Sequence, residues 1–338
     1  MRSAATRSAT VVVLLALGLT GCGAEVATTA PEGADTSAHY PVTVENCGSE
    51  VTYRRKPERV VTNDIGITEM MFALGLTDRM AGYAMPDEKG DLTAVPWRDG
   101  YQRAKWLSKD RITKEVVLDA RADFVFGGWS YGWDEAAGLT PETLGKLDIA
   151  AYTLTESCRN GREKARGVMP PLDALYTDLA NLGEIFDVRP RAEELIAGFK
   201  AEVAEARTAA PGRRPSVFLY DSGQDKPFTS GRFAAPDEII AKAGGTNVFG
   251  DLADSWTTVG WESVVQRKPE VIVINDYGDT GAEAKKEFLR SYPPLADVPA
   301  VRNDRIFVLR YADLVESPRN PAAITALGAY LRTVPQAG

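Results

Sequence analysis

The chain has 338 residues, with 39 basic and 47 acidic side chains, a formal net charge of −8 and 44% hydrophobic residues. The first 21 residues hold two of the arginines and no acidic residue, so the rest of the chain has 39 − 2 = 37 basic and 47 acidic residues, a net charge of −10. This charge argues against nucleic-acid binding and against adhesion to anionic lipid through the folded surface, and the length exceeds that of one typical domain.

The N-terminus has the pattern of an export signal. Arg2 and Arg7 precede a short apolar run at 11–19, which is typical of a secretory signal peptide. The run is shorter than the roughly 20 apolar residues that a membrane-spanning helix needs. It ends in LTGC, residues 19–22, which resembles the bacterial lipoprotein box, where cleavage leaves a lipid-modified cysteine at the new N-terminus.

These features predict a signal peptide over 1–21, lipidation of Cys22, and a flexible tether over 22–39 that is rich in small and polar residues. The protein is then anchored by lipid to the cell membrane on its extracytoplasmic face. The alternative is an ordinary signal peptide followed by an incidental cysteine.

The two remaining cysteines are Cys47 and Cys158. An exported chain enters an oxidising compartment, and an even remainder of cysteines predicts a disulfide between them. Two buried free thiols are the alternative. The bridge would close a loop of about 110 residues, for which the chain-entropy estimate is about 4.7 kcal/mol.

Strands and helices alternate along the chain. A near-continuous content of Val, Ile, Phe and Leu predicts buried strands of mainly parallel sheets. The predicted strands are 58–66, 122–128, 216–223, 270–276 and 305–311. Helices are predicted over 67–76 and over 236–245, the second opened by a proline and closed by glycines. This alternation indicates the α/β class, with helices on both faces of each sheet.

A long helical stretch separates the two groups of strands. Residues 190–210 carry apolar side chains at helical spacing, with prolines at the start and just beyond the end. About 20 residues at 1.5 Å each give a rod of roughly 30 Å. We therefore predict two Rossmann-like lobes, over 40–189 and 211–338, joined by this one stiff helix.

The two halves repeat a pattern that places a glutamate equivalently in each. Glu115 lies seven residues before Ala122, Glu262 lies seven residues before Pro269, and an apolar strand follows in both cases. A single glutamate on a helix is usually part of a solvated face. Equivalent placement in two similarly built lobes makes a shared role for Glu115 and Glu262 the stronger interpretation.

The stretch GWSYG, residues 128–132, matches the G-x-S-x-G pattern of a hydrolase nucleophile elbow, with Ser130 as the nucleophile. That chemistry needs a histidine after the serine, whereas the single histidine, His39, precedes it and lies in the predicted tether. A Ser-Lys variant stays open as a different-class alternative. The same histidine count argues against a histidine-built metal site, so we predict no enzyme, no catalytic residue, no metal site and no cofactor.

Several motifs together resemble one known family, the substrate-binding lipoproteins of bacterial ABC importers for ferric siderophores, haem and vitamin B12. Besides the lipoprotein box, they are PERVVTNDIGITEMMFALGL, KEVVLDARADFVFGG, PFTSGRFAAPDEIIAKAGGTNVFGD, VGWESVVQRKPEVIVIN and ESPRNPAAITALGAYL. They cover most of residues 40–332.

The resemblance implies a fold of two α/β lobes bridged by one long helix (the class III periplasmic-binding-protein fold), with the ligand between the lobes. It also implies that one glutamate per lobe docks onto arginines of the membrane permease, and Glu115 and Glu262 match that role. The expected partners are the permease with its ATPase and a ferric siderophore or related metal chelate. A monomer without nucleic-acid partners is expected.

Ligands of open α/β sheets bind beyond the carboxyl ends of the strands, and the stretches that leave the predicted strands are rich in aromatic residues that suit a large, partly apolar ligand. Trp261, beside the second docking glutamate, is expected to fill the core instead. The candidate ligand-binding residues are Trp106, Lys109, Trp129, Tyr131, Trp133, Phe228, Arg232, Trp256, Tyr311 and Arg319.

The resemblance favours a ferric siderophore of the hydroxamate type as the ligand. Tyr131 falls where some hydroxamate binders carry a ligand-contacting tyrosine, although Lys109 lies near the place of an arginine in those proteins. Cobalamin is an alternative, because Trp106, Trp129 and Trp256 are reminiscent of the cobalamin binders. Haem is another alternative, for which a histidine in the predicted tether is a poor iron ligand.

Overall fold

The computed structural model describes residues 38–84, 97–159, 166–208 and 212–335, without the side chains of Ser130 and Tyr131. The predicted signal peptide, Cys22 and nearly all of the predicted tether lie outside the described residues. No helix within the described ranges is both long and apolar enough to cross a membrane.

The strands form two parallel sheets and two small antiparallel pairs. An antiparallel hairpin comes first, β1 (Val42–Asn46) and β2 (Ser49–Tyr53). The first sheet has the order β5-β4-β3-β6-β7, built from β3 (Val60–Asn63), β4 (Met80–Ala84), β5 (Trp106–Ser108), β6 (Phe124–Gly127) and β7 (Ala150–Thr153).

The second sheet and the second small pair follow in the C-terminal half. Their strands are β8 (Ser216–Tyr220), β9 (Phe228–Ser230), β10 (Thr246–Asn247), β11 (Trp256–Thr258), β12 (Val271–Asp276) and β13 (Ile306–Arg310). The second sheet has the order β10-β8-β12-β13, and β9 pairs with β11. The α/β class with mainly parallel sheets is thus confirmed.

Helices connect the strands and cover the sheets. They are α1 (Ile65–Ala73), α2 (Arg98–Arg103), α3 (Lys114–Asp119), α4 (Trp129–Gly132), α5 (Pro141–Gly145), α6 (Pro171–Ile185), α7 (Arg189–Thr208), α8 (Ala235–Lys242), α9 (Trp261–Arg267), α10 (Ala282–Ser291), α11 (Pro299–Arg302), α12 (Tyr311–Leu314) and α13 (Asn320–Leu331).

All five predicted strands are present, as β3, β6, β8, β12 and β13. The strand predicted over 58–66 ends earlier than expected, at Asn63, because Asp64 caps the helix that follows. The Oδ1 atom of Asp64 accepts a hydrogen bond from the Gly66 amide at 2.8 Å, which starts α1 at Ile65 instead of residue 67.

The helix predicted over 190–210 is present as α7, but it does not pass between the two sheets alone. At the start of α6, the amide of Leu172 donates to Glu238 of α8 at 2.8 Å, and at its end the Ile185 carbonyl accepts from Tyr40 at 2.7 Å. The helix α7 begins against α1, where Arg191 donates to the Ala73 carbonyl at 3.0 Å, and packs along α6, α8 and α13. Two packed helices therefore connect the halves where the sequence predicts one.

The deeply buried surface of this helix pair belongs to α6, which sequence analysis does not single out. Four leucines of α6 are buried at the helical spacing 172, 175, 179 and 182, whereas α7 buries only Ala192, Val203 and Ala206. A stripe at this spacing is the usual pattern of a helix with one core face. The lobe boundaries predicted around 190–210 stay a prediction.

Two features near the N-terminus tie the hairpin to the body. Cys47 and Cys158 form a disulfide with their Cα atoms 5.3 Å apart, as the cysteine count predicts. The placement of His39 in a flexible tether is wrong. Its Nε2 lies 2.7 Å from the Glu184 carbonyl oxygen, and its Nδ1 lies 3.6 Å from a carboxylate oxygen of Asp187.

Candidate functional site

The carboxyl ends of strands from the two sheets approach each other. Asp64, directly after β3, accepts a hydrogen bond from the phenol of Tyr311, directly after β13. At Gly66 the approach is so close that a Cβ atom would lie 2.4 Å from the carbonyl oxygen of Glu316, a contact that only glycine allows. Ligands of open α/β sheets bind at strand ends of this kind, so we take this region as the candidate site.

A second phenol lies beside Tyr311. The ring centroids of Tyr277 and Tyr311 are 5.3 Å apart, and the Tyr277 hydroxyl donates to Asp221 at 2.7 Å. Asn275 donates to the other oxygen of Asp221 at 2.7 Å. Burial raises the pKa of Asp221, although these donors act in the opposite direction. Two neighbouring phenols of the second sheet therefore lie between an acid from each sheet at this edge of the site.

Aromatic rings form the other edge, which we call the aromatic wall (Trp129, Phe228 and Trp256). The Trp256 ring stacks on Phe228, with centroids 5.9 Å apart and 23° between the planes. Trp129, directly after the β6–α4 junction, is buried beneath the guanidinium of Arg166, which lies 5.8 Å from its ring centroid. The amide of Arg166 donates in turn to Asp254 at 3.1 Å, two residues before Trp256.

The backbone at the β6–α4 junction bears on the hydrolase alternative. Trp129 has a positive φ of 60°, an unusual conformation for a bulky residue, so the sharp turn lies at Trp129 and not at Ser130. The helical turn after it ends at Gly132. The imidazole of His39 contacts Glu184 and Asp187 instead of any group of this turn. The side chains of Ser130 and Tyr131 lie outside the described part of the structure.

Of the residues predicted to bind ligand, Phe228 stacks on Trp256, Trp129 lies beneath Arg166, and Tyr311 bonds to Asp64 at the strand ends. Trp106 is 55% exposed on the edge strand β5, with its indole donating to the Ser108 carbonyl at 2.7 Å. Lys109 follows that strand on the exposed surface. These two lie at the rim of the first sheet.

Three predicted residues serve elsewhere. Trp133 packs in the core of the first sheet, with its ring against Gly127. Arg232 donates to the Asp251 carbonyl at 3.1 Å and lines an outer hollow with Pro170 and Lys242.

Arg319 is the third, and it is the most deeply placed. Its guanidinium forms a buried, two-pronged ion pair with Glu69 of α1, in which Nε donates to Oε2 at 2.7 Å. Tyr101 also donates to Glu69, at 2.6 Å. The ion pair joins α1 to α13, so this guanidinium is used in holding the two halves together.

The sequence patterns do not single out Asp64, Arg166, Asp221 and Tyr277. Tyr277 directly follows the strand predicted over 270–276, so the strand-end rule that selected Tyr311 applied to it as well. Asp221 was hidden inside the strand predicted over 216–223. Asp64 was hidden inside the strand predicted over 58–66. Arg166 lies in a loop that carries no strand or helix signal, and only the fold brings it to Trp129.

The two glutamates of the repeat occupy matching places. Glu115 and Glu262 are each the second residue of a short helix, α3 and α9, and both side chains are exposed. Each helix leads into a strand next to the first strand of its sheet, β6 beside β3 and β12 beside β8. Trp261 is buried among the rings of Phe218, Tyr220 and Phe288, which confirms the core role predicted for it.

Within the described ranges, no group of three or more His, Cys, Asp and Glu side chains is arranged to hold a metal ion. The indole nitrogen of Trp129 is buried and makes no hydrogen bond. The site therefore offers ring faces, phenols, acids and an unused donor for noncovalent contact with a ligand.

Comparison with known proteins gives a consistent family assignment. Residues 60–312 match the family model described as periplasmic binding protein. A vitamin B12-binding protein of Yersinia pestis is 28% identical over 223 residues, covering 64% of this chain and 69% of that protein.

Two solved structures are similar over most of the chain. A periplasmic binding protein from Veillonella parvula is 25% identical, with a TM-score of 0.73 over 86% of this chain and 97% of that one. The periplasmic heme-binding protein RhuT from Roseiflexus is 29% identical, with a TM-score of 0.64 over 82% of this chain and 98% of that one.

The Glu69–Arg319 ion pair gives the first testable prediction. Arg319→Ala leaves the Glu69 carboxylate buried without its charge partner, so we expect the free energy of unfolding to fall by about 3–5 kcal/mol. Arg232→Ala is the matched control, and removing that exposed guanidinium should change the value by no more than about 0.5 kcal/mol. Urea unfolding of both variants measures this, and an Arg319→Ala protein as stable as the control would contradict the structural role.

Proposed function

We infer that this chain, which belongs to the periplasmic binding protein family and is a substrate-binding protein of an ABC importer, captures a ferric siderophore of the hydroxamate type and delivers it to the permease. The observation that carries the proposal is the meeting of aromatic rings, phenols and acids at the strand ends of the two sheets. The relatives it matches are binding proteins, and we assign no catalytic role to Ser130.

The aromatic side chains support a bulky, partly apolar ligand. Phe228 and Trp256 form a stacked pair, and Trp129 lies close to them through Arg166 and Asp254. Rings of this kind cover the apolar linkers of a large chelate, while phenols and indole nitrogens donate hydrogen bonds to its oxygens. Tyr277 and Tyr311 supply such hydroxyl groups on the opposite edge.

Opposite charges at the site favour a chelate without net charge. Asp64 and Asp221 lie there with two cations, Arg166 over Trp129 and Lys285 over Tyr277. The guanidinium of Arg319 is bound to Glu69, and that of Arg232 lines an outer hollow. An anionic ligand placed beside acids would be repelled. A ferric ion bound by hydroxamate anions is neutral when their charges match, whereas a ferric catecholate and the propionates of haem are anionic.

Cobalamin is the second candidate. The vitamin B12-binding protein of Yersinia pestis is a relative over most of the chain, and Trp129 and Trp256 offer broad ring faces that suit a corrin. Cobalamin also carries no excess of negative charge, so the argument from Asp64 and Asp221 does not separate it from a neutral ferric chelate.

Ligand choice is testable with purified protein. We expect a gallium or ferric trihydroxamate to bind more tightly than a ferric catecholate, haemin or cyanocobalamin in calorimetric titrations. Trp256→Ala should lower the trihydroxamate affinity by about 1–3 kcal/mol, the range for losing a buried aromatic contact. Arg232→Ala should leave the affinity within about twofold, because its guanidinium bonds to a carbonyl outside the site. Tight binding of cobalamin without any response to trihydroxamates would replace the proposal with the second candidate.

The exposed glutamates of the repeat are proposed to dock the protein onto the permease. Glu115 and Glu262 lie in the first turn of their helices, one in each half of the chain. The pKa of Glu115 is lowered by its own backbone amide and by the Thr113 hydroxyl, so the group is charged at neutral pH. Paired surface acids at matched places suit a partner with two equivalent cationic patches.

Mutation of the two glutamates should impair docking onto the permease without changing ligand binding. Glu115→Ala and Glu262→Ala should leave the ligand affinity of the purified protein unchanged, while uptake by intact cells falls. Glu287→Ala, which removes an exposed acid of α10, is the control and should affect neither quantity. A large loss of ligand affinity in the Glu115 or Glu262 variant would count against the docking role.

The lipid anchor at Cys22 is proposed from the lipoprotein box alone. Cys22→Ser should release the protein from the membrane fraction, because no other predicted segment holds it there. Fractionation followed by a salt wash measures this, and a variant that still sediments with membranes would show that Cys22 is not the anchor.

A further inference from the structure

Three carboxyl groups are buried together where the two sheets meet. We call them the carboxyl cluster: Glu156, just after β7, Asp178, in the middle of α6, and Glu316, between α12 and α13. Their exposed fractions are 2%, 0% and 1%. No described Lys, Arg or His forms a salt bridge with any of the three. Acids buried this deeply normally need a charge partner or a proton.

Two members of the cluster exchange hydrogen bonds across the boundary between the halves. The amide of Glu156 donates to Oε2 of Glu316 at 2.9 Å, and the amide of Glu316 donates to Oε2 of Glu156 at 3.0 Å. The other oxygen of Glu156 accepts from the amide of Ala235, at the start of α8, at 3.1 Å. The Glu156 carboxylate, which comes from the loop after β7, therefore binds two backbone amides in the C-terminal half of the chain.

The same side chain also reaches the aromatic wall. The hydroxyl of Ser255 lies 3.5 Å from Oε1 of Glu156. Burial raises the pKa of Glu156, and the nearby side chain of Trp256 acts against that rise. Trp256 is the ring that stacks on Phe228. This ring therefore lies beside a carboxyl group from the other half of the chain.

The hydrogen bonds also indicate where a proton is held. Asp178 accepts from the Tyr152 hydroxyl at 2.6 Å, from the Thr155 amide at 2.8 Å and from the Thr155 hydroxyl. Glu156 accepts from two backbone amides, which can only donate, and lies 3.5 Å from the Ser255 hydroxyl. Glu316 is different, because its Oε1 accepts no hydrogen bond and its carboxyl lies beside that of Asp178. A proton on Glu316 has a carboxylate acceptor in Asp178, whereas a proton on Glu156 has the Ser255 hydroxyl.

Electrostatics indicate that the cluster as a whole retains protons at neutral pH. Burial, and then the charges of Asp178 and Glu156, raise the pKa of Glu316 well above its usual value. Burial raises the pKa of Glu156 to about 8, although several donors lower it. Burial also raises the pKa of Asp178, against the bonds it receives.

The other charged groups around the cluster do not neutralise it. Asp64 adds a further negative charge near Glu156. Arg166 directs its Nη1 to the Ser157 carbonyl, and Arg319 is bound to Glu69. The phenol of Tyr152 is a neutral donor.

We propose that the carboxyl cluster is a proton-holding clamp, in which Glu316 donates a retained proton to Asp178 while Glu156 joins the two halves and positions Trp256. Glu156 and Glu316 are positioning residues, since they act on the ligand only through Trp256. The positioning of Trp256 rests on the proposed ligand site, whereas the proton retained by Glu316 does not depend on that site.

The clamp makes stability depend on pH in a defined direction. Acids whose pKa is raised on folding bind protons more tightly in the folded protein. For Glu316 this stabilisation is complete below the unfolded value of 4.5 and is lost as the pH rises through the folded pKa, which lies well above that value. Within this pH range, each proton that only the folded protein retains lowers the folding equilibrium constant tenfold for every unit by which the pH rises.

The decisive experiment compares the same chemical change at two positions in the ligand-free protein. In Glu316→Gln the amide can donate to Asp178 while its oxygen accepts from the Glu156 amide, so we expect a folded protein whose stability falls less steeply with pH, by up to one proton. In Glu156→Gln one amide hydrogen must face a donor, so we expect lower stability and a shifted Trp256 emission. Glu287→Gln on the exposed surface is the control and should behave as the wild type.

Infrared spectroscopy gives a second readout that does not need unfolding. The carbonyl band of protonated carboxyl groups should be weaker in Glu316→Gln than in the wild type at neutral pH, because one protonated carboxyl group is removed. An undiminished band, or the full wild-type pH dependence, in Glu316→Gln would overturn the clamp. Because both readouts use the protein without ligand, they decide the clamp even if no metal chelate binds.

Discussion

The mutual hydrogen bonds of Glu156 and Glu316 are the contact on which the rest of the site depends. Each side chain accepts the backbone amide of the other residue, so neither half can move away without exposing two buried donors. Leaving buried donors unpaired is costly, and the cost keeps the strand ends of the two sheets at one spacing. That spacing decides which side chains share a ligand site.

The polar contacts around this pair extend in two directions. Toward α1 and α13, the Glu69–Arg319 ion pair and the tight approach at Gly66 hold the helices that start beside the strand ends. Toward the aromatic wall, Glu156 reaches Trp256. These contacts and the packing of α6 against α7 fix the positions of the two sheets relative to each other without a ligand. Such preorganisation lowers the entropic cost of binding.

The charge pattern of the molecule separates two tasks. The site between the sheets carries acids and phenols beside two cations, Arg166 and Lys285, so its charges are mixed, which suits a neutral chelate. Glu115 and Glu262 carry exposed negative charge at matched places in each half, which suits a cationic partner. The internal repeat explains this match, because each half contains a short helix followed by a buried strand, α3 before β6 and α9 before β12.

The sequence by itself determined the fold class, five buried strands, the cysteine pair and the matched glutamates, because these follow from local apolar runs, helix signals and counting. It selected Trp129 and Tyr311 because they follow predicted strands, and Trp256 because it precedes the second glutamate. It could not determine that Arg319 is bound to Glu69 or that Arg232 turns outward. These contacts are decided by tertiary partners, which lie 250 residues from Arg319 and 19 residues from Arg232. The carboxyl cluster shows this most clearly, since Glu156 and Glu316 are separated by 160 residues and only the tertiary structure buries them together, where desolvation raises the pKa of both.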